Sequence, residues 1–152
     1  YPITEHGDAL FAFAAEHRAV VLVHSGDENS LPSDFLPFAE RFPEIRLLLA
    51  HLGNGGGAAG DPSTQVRAIQ ASTQGNVYVD TSSARSIMPQ LVEWAVGEIG
   101  ADRVLYGTDT PLYSAEMQRA RIDHAELTDD QKKLILRDNA AALLDLPGDN
   151  LS

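Results

Sequence analysis

The run Arg46-Leu47-Leu48-Leu49-Ala50-His51 is nearly continuous in apolar residues and ends in a histidine. A strand with one face in solvent alternates apolar and polar residues, whereas a strand covered on both faces, as in a parallel sheet, is apolar almost throughout. Three other runs have the same character and lie at residues 20–23, 76–79 and 103–106. The sequence therefore predicts four buried parallel strands.

Helical patterns lie around and between these runs. We expect helices at residues 4–17, at 33–42, from Asp61 onward, at 86–99 and at 128–145. Asp61 followed by Pro62 is typical of an N-cap with proline at the first helical position. Thr128 and Gln131 match the capping box that begins many helices.

Strict alternation of strands and helices predicts an α/β fold. The predicted strands begin at residues 20, 46, 76 and 103, and a (β/α)8 barrel of about 250 residues has roughly 31 residues per unit. This spacing fits parallel βα units of a TIM-type barrel, and we expect residues 1–152 to form a single domain. A doubly wound sheet uses the same right-handed unit, so the spacing alone leaves both architectures open.

Composition narrows the possible partners. The 152 residues carry 11 basic and 22 acidic side chains, a formal net charge of −11. A surface this acidic repels phosphate groups, so we expect neither nucleic acid nor an anionic membrane as a partner. There is no cysteine, so any metal must be held by imidazole and carboxylate. The absence of cysteine is compatible with a reducing compartment, and we expect a cytoplasmic protein.

Each apolar run leads to a side chain able to do chemistry. The four residues are His24, His51, Asp80 and Asp109. In both parallel architectures the carboxyl ends of the strands form the active face, so these groups are expected at one rim. Imidazole nitrogen and carboxylate oxygen suit a divalent ion such as zinc or manganese, and such an ion lowers the pKa of its bound water from 15.7 towards about 7.

Four segments resemble the amidohydrolase-related family that includes aminocarboxymuconate-semialdehyde decarboxylase. Residues 21–26 (VLVHSG) resemble its fifth strand, residues 48–53 (LLAHLG) its sixth, and residues 103–111 (RVLYGTDTP) its eighth. Residues 136–144 (LRDNAAALL) resemble its closing helix, in which an Asn-Ala pair is typical. The resemblance spans almost the whole chain and implies that it covers about strands 5 to 8 of the barrel.

The resemblance also implies roles for the rim residues. His24 and Asp109 would be metal ligands, with Asp109 also carrying protons, and His51 would polarise or deprotonate the attacking water or bind developing negative charge. It assigns no role to Asp80. The family's first strand supplies two more ligands from a His-x-His pair, which this sequence lacks. We therefore expect the N-terminal half of the barrel to be absent from these residues. Either residues before Tyr1 supply those ligands, or the chain is not catalytic by itself.

These observations predict a metal-dependent hydrolase or decarboxylase acting on a small carboxylated or cyclic substrate, with zinc ahead of manganese. A half-barrel exposes unpaired strand edges, so we also expect a homo-oligomer.

Two alternatives remain. The missing His-x-His pair favours a degenerate, non-catalytic barrel half or an interaction module. Gly55, Gly57 and Gly60 match the Gly-x-Gly-x-x-Gly pattern of an NAD(P)-binding Rossmann-like domain, with Asp80 about 20 residues further on as the expected ribose-binding acid. The helix of such a domain begins within the glycine run, whereas here it is expected to begin at Asp61.

Overall fold

The computed structural model describes residues 3–55, 60–82 and 88–146. Seven α-helices and four β-strands occur within these ranges. The strands are β1 (Val20–Val23), β2 (Arg46–Leu49), β3 (Val77–Asp80) and β4 (Val104–Leu105). The helices are α1 (Ile3–Glu16), α2 (Pro32–Arg41), α3 (Thr64–Ala71), α4 (Leu91–Ile99), α5 (Ala115–Asp123), α6 (Asp129–Lys133) and α7 (Asn139–Leu143).

The four strands form one parallel sheet in the order β1-β2-β3-β4. In the register, Leu22 lies beside Leu48 and Leu48 beside Tyr78. Each crossover in the described part of the chain moves to the next strand in the same direction, so the order does not reverse as it does in a doubly wound sheet. This topology is that of four consecutive βα units of a barrel.

One face of the sheet carries the core. Successive side chains of a strand point to opposite faces, and Leu47, Leu49 and Val79 on one face are fully buried. They share a single apolar cluster with side chains of the helices, among them Phe11 and Phe38, whose stacked rings have centroids 4.7 Å apart. The helices therefore cover this face.

The opposite face is open. Leu22 is 62% exposed, and its neighbours Leu48 and Tyr78 are only partly buried. In a complete barrel this face lines the interior, where side chains from all the strands fill the space. The sheet thus has one helix-covered face and one apolar face without a covering layer among the described residues.

Two helix starts differ from the expectation. Asp61 does not cap α3: its carboxylate accepts hydrogen bonds from the backbone N–H and hydroxyl of Ser63 at 2.9 and 2.6 Å, and the helix begins at Thr64. The Asp61 carboxylate is hydrogen-bonded to the backbone of this turn and does not cap the helix. The helix therefore begins after the turn. Helix α4 begins at Leu91, after Gln90 in a left-handed conformation, rather than at residue 86, which lies outside the described residues.

The last helical region is interrupted. Thr128 and Gln131 form the predicted capping box, which is confirmed. Between α6 and α7 the residues Leu134–Asp138 adopt a π-helix. Asn139, at the Asn-Ala pair of the closing segment, donates hydrogen bonds to the carbonyls of Ala101 and Val104 at 2.7 and 2.8 Å. The closing segment is thereby tied to β4.

Neither Gly55 nor Gly60, the two described glycines of the fingerprint, lies in a helix. Gly57 lies outside the described residues, and α3 begins only at Thr64. A Cβ on Gly60 would lie 1.9 Å from the carbonyl oxygen of Gly55, so these two glycines allow the two ends of the loop to approach each other. Together with the unreversed strand order, this geometry removes the basis for the Rossmann-like alternative.

We predict that Leu49→Ala lowers the free energy of unfolding by about 2–5 kcal/mol because it opens a cavity in the core. In the same chain of residues 1–152, Leu22→Ala should cost less than about 1 kcal/mol because this side chain is exposed. Urea denaturation of both variants measures the difference. Equal losses would contradict the assignment of the two faces.

We also propose that a chain limited to residues 1–152 self-associates through the open face, since it exposes apolar side chains beside unpaired strand edges. Light scattering should give a mass above that of one chain, and Leu22→Lys should lower it by placing a charge on this face. A monomer over the whole concentration range would contradict the proposal.

Candidate active site

The sheet brings the predicted residues to one rim. His24 follows β1 directly, His51 lies two residues beyond β2, Asp80 ends β3, and Asp109 lies four residues beyond β4. Because all four strands run parallel, these positions share the carboxyl edge. The rings of His24 and His51 are in edge-to-face contact, with centroids 4.8 Å apart at an angle of 65°.

His24 lies at this rim with its side chain partly open to solvent. Its side chain is about half exposed at 52%, and its Nε2 lies 2.7 Å from the Asp27 carboxylate. Asp27 follows Gly26, whose φ of 107° is in the region that favours glycine. The turn thus directs an acidic side chain back to the imidazole.

His51 is held at both its backbone and its ring. Its φ of 73° is uncommon for a residue with a side chain. Its backbone N–H donates to Asp80 Oδ1 at 3.0 Å, and its ring Nδ1 lies 2.8 Å from the hydroxyl oxygen of Ser82. Such conformations cost free energy and persist where the surroundings hold them, which is typical of functional sites.

Burial lowers the pKa of His51 below its ordinary value of 6.5. The charge of Asp80 acts against this shift, that of His24 adds to it, and those of Asp109 and Asp27 raise the pKa. Burial is the largest of these effects because charging an imidazole away from water is unfavourable. The carboxylate of Asp109 is therefore within electrostatic reach of the His51 ring.

Asp109 has an unusual backbone as well. Its φ is 56°, and its carbonyl accepts a hydrogen bond from Leu112 at 2.9 Å. The side chain is partly exposed, and no residue within the described ranges donates a hydrogen bond to it. A carboxylate in this state is available to a ligand.

Asp80 is buried rather than open to the rim. It is 6% exposed, and its Oδ1 accepts hydrogen bonds from the backbone N–H groups of His51 and Ser82 at 3.0 and 2.9 Å. The hydroxyl of Ser82 lies 2.5 Å from the same oxygen. Asp80 thus anchors the ends of β2 and β3 to each other.

A buried polar network behind the histidines has no counterpart in the sequence-based prediction. Ser25 donates its hydroxyl proton to the carbonyl of Ala50 at 2.6 Å, and the Asn54 amide donates to the carbonyl of Ser25 at 2.9 Å. The Gln65 amide donates to the carbonyl of Asn54 at 2.8 Å. Since Ser25 and Gln65 are fully buried, the network locks the loops that carry His24 and His51.

The predicted metal ligands do not make a complete site. Within residues 3–55, 60–82 and 88–146, no group of three or more His, Cys, Asp or Glu side chains is placed to hold an ion. Catalytic zinc normally keeps three protein ligands. The imidazole of His24 and the carboxylate of Asp109 are suitable ligand types for a divalent ion. Two protein ligands are nevertheless fewer than a catalytic site normally has.

No helix in the described part of the chain is both long and apolar enough to cross a membrane.

The fold and the rim together define a partial TIM barrel with imidazole and carboxylate groups at the carboxyl ends of its strands. The amidohydrolase family model matches residues 2–146. The chain therefore belongs to the amidohydrolase family, and the family resemblance found in the sequence is confirmed. No protein of curated function matches the chain.

Solved structures agree with the fold. A TIM-barrel protein of uncharacterised function from Bordetella bronchiseptica has a TM-score of 0.70 at 21% identity over 90% of this chain and 49% of its own. An amidohydrolase from Burkholderia multivorans with bound zinc has a TM-score of 0.67 at 17% identity over 90% of this chain and 56% of its own.

A dihydroxybenzoic acid decarboxylase from Polaromonas, with bound manganese and the inhibitor 2-nitroresorcinol, has a TM-score of 0.57 at 22% identity. That likeness covers 94% of this chain and 43% of the decarboxylase. The chain thus spans about half the length of the structures it resembles, and the predicted partial-barrel fold is confirmed.

The lowered pKa of His51 predicts a pH-dependent stability. The unfolded chain binds this proton at a higher pH than the folded chain does. The contribution of neutral His51 to the free energy of unfolding is therefore complete above pH 6.5 and is lost as the pH falls towards the folded-state pKa. An NMR titration should give a midpoint below 6.5. His51→Gln should weaken the loss of unfolding free energy on acidification, and an equal loss in both proteins would contradict the assignment.

Proposed function

We propose that the complete protein is an amidohydrolase-family enzyme that hydrolyses or decarboxylates a small carboxylated or cyclic organic substrate at this rim. The contact between the rings of His24 and His51, with the Asp109 carboxylate in electrostatic reach, is the observation that carries the proposal. Groups on separate loops have no packing reason to meet at the edge where parallel barrels place their chemistry.

His51 is the proposed proton-transferring group. Its lowered pKa keeps the ring neutral near pH 7, the state in which an imidazole accepts a proton. Its Nδ1 is engaged by Ser82, and no hydrogen bond reaches its Nε2 from the described residues. The free Nε2 would take a proton from an attacking water, or the protonated ring would stabilise negative charge that develops on the substrate.

His24 and Asp109 are the proposed ligands of a divalent ion, zinc ahead of manganese. An ion at such a site acidifies a bound water. Two ligands are too few for a catalytic site, so the proposal requires additional ligands from outside the described residues. Binding by Nε2 would also require His24 to exchange its contact with Asp27 for the ion.

A non-catalytic role is the second candidate. The incomplete ligand set among the described residues favours it, since a family member without a complete site could retain the fold and lose turnover. The metal content of the complete protein separates the two candidates.

The test is elemental analysis of the purified full-length protein together with assays for hydrolysis and carbon dioxide release on a panel of small carboxylated and cyclic compounds. We expect about one divalent ion per chain. His24→Ala and Asp109→Ala should each lower the metal content and the activity together, because each removes a ligand.

His51→Ala should lower turnover by a factor on the order of 10² or more with the metal retained. His6→Ala is the control, since this histidine lies on α1 rather than at a strand end and its side chain is 62% exposed. Full metal content in both ligand variants would overturn the ligand assignment. A metal-free protein without activity on any compound would favour the non-catalytic candidate.

A further inference from the structure

Ser82 lies between a buried carboxylate and the ring of His51. Its hydroxyl oxygen is 2.5 Å from Asp80 Oδ1 and 2.8 Å from His51 Nδ1. Ser82 and Asp80 are 4% and 6% exposed, so water does not compete for these contacts. The three groups form a continuous chain of hydrogen bonds from the end of β3 to the rim.

The donor in each of these hydrogen bonds can be assigned by counting protons. Asp80 Oδ1 already accepts two backbone N–H groups, so it acts as the acceptor towards Ser82 as well. A serine hydroxyl has a single proton, and here that proton is directed to Asp80. The Ser82 oxygen can then only accept from His51, so Nδ1 carries the ring proton and Nε2 carries the lone pair.

The surrounding structure holds the hydrogen-bonded groups of Asp80, Ser82 and His51 in place. The Gln118 amide donates to the carbonyl of Ser82 at 3.0 Å, and Gln118 is fully buried. A Cβ on Gly107 would lie 2.9 Å from both Asp80 Cγ and Ser82 Cβ. Helix α5 and the segment after β4 thus close on Asp80 and Ser82 from two directions, and only glycine fits at position 107 without displacing them.

We propose that Ser82 is a positioning residue that connects Asp80 to His51 and fixes the tautomer in which His51 Nε2 is free to accept a proton. The inference rests on the proposed role of His51 and extends it. When Nε2 takes a proton, the positive ring remains hydrogen-bonded through Ser82 to the Asp80 carboxylate. A hydrogen-bonded partner on the second ring nitrogen is the means by which proteins set which nitrogen reacts.

The experiment combines nitrogen NMR of labelled full-length protein, above pH 6.5, with steady-state kinetics. In the wild type, His51 should carry its proton on Nδ1. Ser82→Ala should give a mixture of tautomers and lower kcat by about 10- to 100-fold, with KM and metal content unchanged. Ser82→Thr keeps the hydroxyl and should retain the wild-type tautomer.

Ser25→Ala is the matched control for the NMR measurement. It removes another buried serine hydroxyl at a strand end, beside the other rim histidine, and Ser25 donates to Ala50 rather than to a histidine ring. The His51 tautomer should not change in this variant. An equal change would show that general loosening of the rim, rather than the Ser82 contact, sets the tautomer, and would overturn the proposal.

Other outcomes separate this inference from the function on which it rests. A wild-type His51 with its proton on Nε2 overturns the inference even if no Ser82 variant folds. Wild-type kcat, or an unchanged tautomer, in folded Ser82→Ala also overturns it. Unchanged turnover in His51→Ala instead overturns the proposed role of His51, while the tautomer measurement still decides whether Ser82 fixes the ring.

Discussion

Asp80 attaches the end of β2 to the end of β3, and the geometry of the rim depends on that attachment. The carbonyl of Asp80 accepts from the backbone N–H of Leu52 at 2.8 Å, and its carboxylate accepts from that of His51 at 3.0 Å. A buried carboxylate is costly unless its oxygens are hydrogen-bonded. The same bonds that satisfy Asp80 therefore hold His51 in its left-handed conformation and direct its ring towards His24.

The rest of the rim is built in the same way, by loops that hold one another rather than by the strands alone. Ser25, Asn54 and Gln65 join the loops after β1 and β2 to the start of α3. A Cβ on Gly26 would lie 1.9 Å from the carbonyl oxygen of Asn54, so the two loops are in direct backbone contact. Buried hydrogen bonds between the two loops favour one arrangement over its alternatives. Within the described residues, Asn54 Oδ1 is the buried atom of this network that has no hydrogen-bond partner.

The differences between the expected and the observed elements have local causes. Helix α5 has no counterpart among the predicted helices because its buried residues are few, Gln118 and Ile122, and leave no apolar stripe to detect. The helix does begin with a typical N-cap residue, Ser114, whose side chain accepts a hydrogen bond from the backbone N–H of Met117. The strand β4 is shorter than its apolar run because the chain after Leu105 hydrogen-bonds to the closing helical region. There the backbone N–H of Tyr106 donates to the carbonyl of Ile135.

The sequence by itself determined the four strands, their alternation with helices and the side chains that follow each strand, because apolar periodicity and capping are properties of neighbouring residues. It also indicated the family, through motifs that each lie within a single segment. Only the tertiary structure decided which of the rim residues meet, that Asp80 is an anchor and that Ser82 contacts His51. These are distances between segments about 30 residues apart, and they follow from how the helices and loops pack on the sheet, which no local pattern encodes.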